Sequence, residues 1–225
     1  METVEPVLQE PWTEGILGCS TEGLDDEEEV VLRRLRSKGP WEEECTLYTD
    51  AAYKNGEGGI AVVQGKSWKT LTQRKLPGWS VGDSTVAELI AIEAALSYQA
   101  QRRPLPRATI IATDSKRAIR SIVEGTNPHG QYVVRYIRKH IEALRDQEGG
   151  SVLLQWVPAH KGIEGNERAD RLAKEAIEEE SLYNLPNPVN FPNPPNYDIS
   201  KAQRYQQRFA EPTDKMVLRV TKKTF

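Results

Sequence analysis

Three short segments rich in apolar and hydroxylic residues follow one another early in the central part of the chain. They run from Cys45 to Ala52, from Gly59 to Val63 and from Ser67 to Thr72. Such segments are typical of strands with one buried face. Asn55-Gly56 and Gln64-Gly65-Lys66 lie between them and are typical of tight turns. The pattern therefore predicts an antiparallel meander of three strands.

The rest of the central part combines helical periodicity with short apolar runs. A long helix is predicted to begin at Asp83 or Ser84, because either residue can cap it. Residues 108–113 are nearly all apolar, as expected for a strand that is buried on both faces. One more strand and three more helices are predicted, over 152–157 and over 115–124, 131–147 and 166–178. This order predicts a mixed α/β sheet flanked by helices.

The two ends of the chain differ from the centre in charge. Residues 1–44 hold 13 acidic against 4 basic residues, 45–196 hold 17 against 19, and 197–225 hold 3 against 7. The acidic run predicts a solvated, partly disordered tail, and a short helix around Glu27–Lys38 is the alternative. We therefore predict four parts: an acidic N-terminal tail (1–44), a central domain (45–180), an Asn/Pro-rich linker (181–196) and a basic C-terminal tail (197–225).

Cysteine usage and the first residues of the chain indicate the cellular compartment. Cys19 and Cys45 have neither a metal-ligand spacing nor the pattern of a disulfide framework, which fits a reducing compartment. The first residues lack the basic start and apolar run of a signal peptide, and no stretch is apolar enough to cross a bilayer. These features predict an intracellular protein, cytoplasmic or nuclear, without a membrane partner.

Two acidic residues lie on predicted strands, where a sheet could bring them together. Asp50 lies inside the first strand, where burial of an unpaired charge would be costly, although an edge acid facing water is an equal alternative. Asp114 ends the buried strand, where open α/β sheets place ligands, and helix capping is its alternative role. Hydrolysis of a phosphodiester by metal ions requires several carboxylates that converge in this way.

Two further acids lie on predicted helices. Glu88 borders the sheet-facing stripe of the long helix, and a solvated flank position is its alternative reading. Asp170 follows Asn166, the expected N-cap of the last helix, whose dipole keeps a nearby carboxylate ionised; pairing with a neighbouring base is the alternative. His160, in the loop before that helix, lies beside the acids. No single residue is decisive, but together they predict a divalent-metal site.

Five motifs in the central part resemble type 1 ribonuclease H. They are Tyr48-Thr49-Asp50, Ala87-Glu88-Leu89, Thr113-Asp114-Ser115, Trp156-Val157-Pro158-Ala159-His160 and Gly165-Asn166-Glu167-Arg168-Ala169-Asp170. The wording STVAEL, TDSKRAIRS and WVPAHKGIEGNERADRLAKEA is similar to the ribonuclease H domain of fungal non-LTR, LINE-like retrotransposons. The resemblance implies a ribonuclease H-like fold, with a five-stranded mixed sheet made of the meander and two parallel strands.

The resemblance also implies a reaction and its cofactor. The RNA strand of an RNA–DNA hybrid would be hydrolysed to products with a 5′-phosphate and a 3′-hydroxyl. Two Mg2+ ions, for which Mn2+ can substitute, would be held by Asp50, Glu88 and Asp114 on the nucleophile side and by Asp50 and Asp170 on the leaving-group side. His160 would help to deprotonate water or to release product. The implied partners are the hybrid and a reverse transcriptase domain of a parent polyprotein, and the chain is expected to be a monomer.

Contacts to the hybrid are expected from Ala51, Ala52, Thr85, Ser115 and Asn166. The family usually has glycine after the first aspartate, where backbone amides approach the RNA, but here Ala51 and Ala52 follow. The asparagine-rich turn that often precedes the helix glutamate is replaced by Asp-Ser-Thr-Val, so the 2′-hydroxyl contacts that asparagine makes at this turn in the family have no counterpart here. The strength of hybrid binding is therefore open.

Three functions are compatible with these residues. The first is an active, hybrid-specific endonuclease. The second is a catalytically weak or domesticated retroelement fragment that serves as a hybrid- or partner-binding module. The third is another nuclease of the same fold, such as a transposase or resolvase, which typically has a different acid spacing and no histidine loop. The complete acid set together with His160 favours the first.

Overall fold

The structure is a computed structural model that describes residues 19–37, 45–76, 83–146 and 150–178. Its strands are β1 (Ser20–Glu22), β2 (Thr46–Lys54), β3 (Glu57–Gln64), β4 (Thr70–Leu76), β5 (Ala108–Thr113) and β6 (Ser151–Trp156). Its helices are α1 (Glu28–Ser37), α2 (Ser84–Gln101), α3 (Lys116–Glu124), α4 (Gln131–Arg145) and α5 (Glu164–Glu178).

The strands form one mixed sheet in the order β1-β6-β5-β2-β3-β4. Strands β2, β3 and β4 make the antiparallel meander, and β2, β5, β6 and β1 pair in parallel. The predicted fold class is therefore confirmed. The described residues hold six strands rather than the five that were predicted, because Ser20–Glu22 adds a strand along the free edge of β6.

Residues 19–37 of the N-terminal region contain secondary structure. They form β1 and α1, and α1 lies close to the helix over Glu27–Lys38 that was predicted as the alternative to a solvated tail. Helix α1 buries Val31, which is 1% exposed, so the region has an apolar side that contributes to the core. Its acids lie in the first turn and its bases in the last, as the helix dipole favours. Residues 1–18, 38–44, and the predicted linker and C-terminal tail lie outside the described residues.

Helix α5 packs closely against the meander because two glycines leave room for it. A Cβ atom at Gly59 of β3 would overlap the backbone oxygen of Ala173, and one at Gly165 of α5 would overlap the ring of Tyr48. Any larger residue would therefore push the helix away from β2 and β3. This close approach fixes where α5 carries Asp170.

The start of α2 follows the prediction and the start of α5 does not. Asp83 is the N-cap of α2, and its carboxylate accepts a hydrogen bond from the backbone N–H of Val86 at 3.0 Å. Helix α5 begins at Glu164, so Asn166 lies inside its first turn rather than at the N-cap. No described helix is both long enough and apolar enough to span a membrane.

Candidate active site

Three carboxylates meet where β2, α2 and the end of β5 come together. Asp50, Glu88 and Asp114 each offer an oxygen, and these oxygens all lie within 4.8 Å of one another. Strands β2 and β5 pair in parallel with Tyr48 opposite Ala112, so continuing this register by two residues brings Asp50 beside Asp114. The sheet register therefore brings together two of the three carboxylates. We call these three residues the inner carboxylates.

Asp50 is buried, which excludes the alternative of an edge acid that faces water. It is 4% exposed, and the backbone N–H of Ala51 donates to its Oδ1 at 2.6 Å. Burial, followed by the negative charge of Asp114, raises the pKa of Asp50 to about 8. An ionised carboxylate at this position needs a compensating positive charge, which a bound cation would provide.

Glu88 points inward from α2 rather than into solvent. Its Oε2 is buried and has no hydrogen-bond partner among the residues that the structure describes. Burial, and then the charges of Asp50 and Asp114, raise its pKa well above the usual range. Buried polar atoms are rarely left unpaired, so an orphaned carboxylate oxygen beside two other carboxylates fits the donor set of a hard divalent cation.

The capping alternative for Asp114 does not hold, because Ser115 is the N-cap of α3. The Ser115 hydroxyl accepts from the backbone N–H of Ala118 at 3.3 Å, which leaves the Asp114 side chain available. Asp114 Oδ2 instead accepts from Asn166 Nδ2 at 3.3 Å. Burial raises the pKa of Asp114, while this hydrogen bond acts in the opposite direction.

Asp170 and His160 lie at the margin of this group, and we call them the outer residues. The Asp170 side chain is 24% exposed, and its Oδ2 lies 2.7 Å from Lys174 Nζ, which is the pairing that the sequence left open. Its charge nevertheless raises the pKa of Asp50, Glu88 and Asp114, so it lies close enough to act on them. His160 is exposed and has a left-handed backbone, with φ of 53°. It acts on Asp114 by lowering its pKa.

The predicted hybrid-contacting residues have different surroundings. Ala51 and Ala52 are half-buried on β2 directly after Asp50. Thr85 is buried in the first turn of α2, which leaves its side chain little surface for a ligand, and Ser115 uses its hydroxyl to cap α3. Asn166 is 2% exposed, and its Oδ1 has no partner within the described part of the chain. Contact of these residues with a hybrid stays a prediction.

Two supporting residues were not identified from the sequence. The indole Nε1 of Trp156 donates to the backbone oxygen of Asp114 at 3.0 Å, and Lys116 Nζ lies 3.9 Å from the centre of the Trp156 ring. Strands β5 and β6 pair with Thr113 opposite Trp156, so the tryptophan ends beside the acid. The sequence signal that could have identified Trp156 as a supporting residue is its position at the end of the strand parallel to β5.

The fold and the site together define an α/β protein with a carboxylate cluster suited to a divalent cation, located where the middle of β2 lies beside the end of its parallel neighbour β5. Comparison with known proteins gives the family. The RNase H family profile matches residues 42–178, and the chain therefore belongs to the RNase H family. It carries a ribonuclease H domain, of a family that generally uses divalent metals, and the resemblance found in the sequence is confirmed at this level.

Similar proteins include Pol polyproteins of equine infectious anemia virus. Those of strain Wyoming, isolate 1369 and isolate CL22 are each 36% identical to this chain over 137 residues. The matched stretch covers 61% of this chain but 11% of each polyprotein. The finer resemblance to fungal retrotransposons stays a prediction.

Proposed function

We propose that this chain is a metal-dependent endonuclease that hydrolyses the RNA strand of RNA–DNA hybrids and leaves 5′-phosphate and 3′-hydroxyl ends. The observation that carries the proposal is the convergence of Asp50, Glu88 and Asp114, with the unpaired Oε2 of Glu88 among them. Family membership supports the same reaction.

The donor set fits Mg2+, with Mn2+ as a substitute, because all of its groups are carboxylate oxygens. The inner carboxylates would hold one ion, and Asp50 with Asp170 would hold a second. Bound ions would neutralise these charges, polarise the scissile phosphate and lower the pKa of the attacking water. Burial first, and then the neighbouring negative charges, raise the pKa values of the inner carboxylates, so a bound cation would favour their ionised forms.

The other residues of the site would orient these acids or transfer protons. Asn166 and Trp156 fix the side chain and backbone of Asp114, and the Ala51 amide fixes Asp50. His160 lies exposed in the loop before α5, where it would take a proton from water or help the product to leave. An exposed loop suits a group that must move during turnover better than a metal ligand.

The substrate would be recognised mainly by shape and by its 2′-hydroxyls, so sequence preference should be weak. The backbone at Ala51 and Ala52, together with Thr85, Ser115 and Asn166, is the expected contact surface. Since the relatives are Pol polyproteins, we propose that a reverse transcriptase domain of a parent polyprotein is a partner. We propose that the ribonuclease H domain is monomeric and acts inside the cell, in the cytoplasm or nucleus.

The test is cleavage of a labelled RNA–DNA hybrid in Mg2+, with double-stranded RNA and double-stranded DNA as comparison substrates. We expect cleavage of the hybrid RNA alone, and its loss in Asp50→Asn. Glu142→Gln, which changes an exposed acid on α4, is the matched control and should retain activity. Tight hybrid binding without cleavage in Mg2+ or Mn2+ would instead support the binding-module alternative.

A further inference from the structure

Strand β1 and helix α1 lie outside the residues that match the RNase H family, yet they contact segments that carry the site. The family match begins at residue 42, whereas β1 and α1 span Ser20–Glu22 and Glu28–Ser37. We call residues 20–37 the N-terminal clamp. Its contacts reach the end of β6, helix α3 and the loop over residues 157–163, which we call the His160 loop.

The first contact fixes the clamp to the end of β6. Strand β1 pairs in parallel with β6, with Glu22 opposite Gln155. The Gln155 side chain donates from Nε2 to the backbone oxygens of Glu22 at 3.3 Å and of Trp156 at 2.7 Å. Gly23 turns the chain here with φ of +81°, and a Cβ on it would lie 3.0 Å from the Trp156 oxygen. The clamp therefore packs against the strand end from which the His160 loop starts.

The second contact reaches the His160 loop itself. Glu28, in the first turn of α1, places its Oε1 2.7 Å from Nζ of Lys161, the residue after His160. Both side chains are about half exposed, at 46% and 47%. Ion pairs in such surroundings contribute little to the stability of a fold, so this pair would mainly limit the positions that the loop can adopt.

Burial of apolar side chains gives α1 a fixed position from which to act. Val31 is 1% and Leu35 is 9% exposed, and both anchor the helix in the core. Asp25, which precedes α1, also places its Oδ1 3.3 Å from Nη2 of Arg120 on α3, but this exposed pair adds little to the anchoring. Because the helix is anchored, a side chain in its first turn can hold an exposed loop in place.

We propose that the N-terminal clamp positions the His160 loop for catalysis, with Glu28 as the positioning residue that acts through Lys161. The proposal rests on the proposed function, since His160 must take part in cleavage for its position to matter. It assigns a part in the reaction to a segment that the family match does not include.

The direct test is Glu28→Lys in the full chain, which places two like charges opposite each other. In hybrid cleavage with Mg2+ we expect kcat to fall about threefold to fivefold, with KM within about twofold of wild type. Glu29→Lys makes the same charge change on the next residue of the same turn and should leave both constants unchanged. An unchanged kcat in Glu28→Lys, with active wild-type protein, would overturn the proposal.

Three further measurements separate positioning from general destabilisation. Adding Lys161→Glu to Glu28→Lys should restore kcat to within about twofold of wild type, because the pair is re-formed with its signs exchanged. In a His160→Ala background, Glu28→Lys should have no further effect on the residual kcat. Amide hydrogen exchange over residues 159–163 should be faster in Glu28→Lys and unchanged in Glu29→Lys.

Contradictory outcomes are distinct from a failure of the proposed function. A lower KM with unchanged kcat would show that Glu28 only screens the charge of Lys161 from the polyanionic substrate. An equal fall in the His160→Ala background would show that Glu28 does not act through His160. Either result would overturn the proposal, whereas wild-type protein that cuts no hybrid would overturn the proposed function itself.

Discussion

The inner carboxylates and the outer residues of the site are held by different forces. Asp50 and Asp114 are brought together by the register of two parallel strands, and Glu88 by a helix whose first turns are buried against them. Asp170 and His160 are more exposed, one paired with a lysine on the surface of α5 and the other in a loop. The inner half is therefore more buried than the outer half, and its carboxylates have raised pKa values. We expect the outer half to change position more readily than the inner half.

This difference predicts unequal losses of cleavage activity when one acid of each half is replaced by its neutral amide. Asp114→Asn should lower hybrid cleavage by about a thousandfold, because it removes a negative charge from the converging oxygens that would hold the cation. Asp170→Asn should cost about a hundredfold, since water can reach this more exposed position and substitute for the changed oxygen. Steady-state cleavage with Mg2+ near saturation measures both. Equal losses would remove the distinction between the two halves.

The outer histidine should affect the rate but not metal binding. His160→Ala should lower kcat by about a hundredfold, the low end for a group that transfers protons. The affinity of this variant for Mn2+, measured by calorimetry, should match that of wild type, because His160 is not one of the three residues whose ligand atoms converge. Imidazole in the buffer provides a control, since partial rescue is expected for a proton-transfer role. A large loss of Mn2+ affinity would instead make His160 a ligand.

The strain of the inner half should appear as pH-dependent stability. Unfolded Asp50 ionises near pH 4, whereas folded Asp50 keeps its proton up to about pH 8. The folded protein therefore binds more protons between these values, and stability without metal decreases as pH rises through this range. In EDTA at pH 8, Asp50→Asn should raise the free energy of unfolding by about 2 kcal/mol.

Urea unfolding at pH 5 and pH 8 tests whether stability without metal decreases as pH rises. The advantage of Asp50→Asn should be smaller at pH 5, because wild-type Asp50 is still close to its preferred protonated state there. An equal difference at both pH values would mean that Asp50 is not strained by its ionisation. With Mg2+ at pH 8, wild type should be more stable than Asp50→Asn, since the cation stabilises the folded state only where the carboxylates can bind it.

The smallest effect is expected at the surface pair of the outer half. Lys174→Gln removes the partner of Asp170, but the lysine side chain is 58% exposed. Thermal unfolding should therefore show a loss of no more than about 0.5 kcal/mol. Cleavage should change by less than about threefold, because Asp170 remains available. A rate change above tenfold would show that Lys174 holds Asp170 in its working position.

Much of the central sheet follows from local sequence, whereas the N-terminal clamp does not. The meander, the buried strand β5 and the cap at Asp83 are specified by alternation, apolar runs and turn residues near in sequence. Strand β1 has three residues and half-exposed or exposed side chains, so it carries no periodic signal. It forms because the edge of β6 offers unpaired backbone groups, which is a tertiary cause.

In the site, too, some features follow from local sequence and others depend on tertiary contacts. Asp50 and Asp114 were identified by their positions inside and at the end of predicted strands, and Glu88, Asp170 and His160 by their positions on or just before predicted helices; the family resemblance supports all five. The contacts that orient Asp114 could not be predicted, because they depend on the β5–β6 register and on the start of α5 at Glu164. Asn166 carries the strongest capping preference near that start, but the helix extends past it and turns its amide toward Asp114.

The central claim is that the three inner carboxylates form a divalent-cation site. Its most direct test is Mn2+ binding to the full chain by calorimetry at pH 8, comparing wild type with Glu88→Gln. Glutamine keeps the shape of Glu88 but removes the charge of the side chain whose oxygen is buried and unpaired among the described residues. We predict that wild type binds Mn2+ and that Glu88→Gln weakens binding at least about tenfold, while Glu142→Gln binds as wild type does. Equal Mn2+ affinity in wild type and Glu88→Gln would contradict this account.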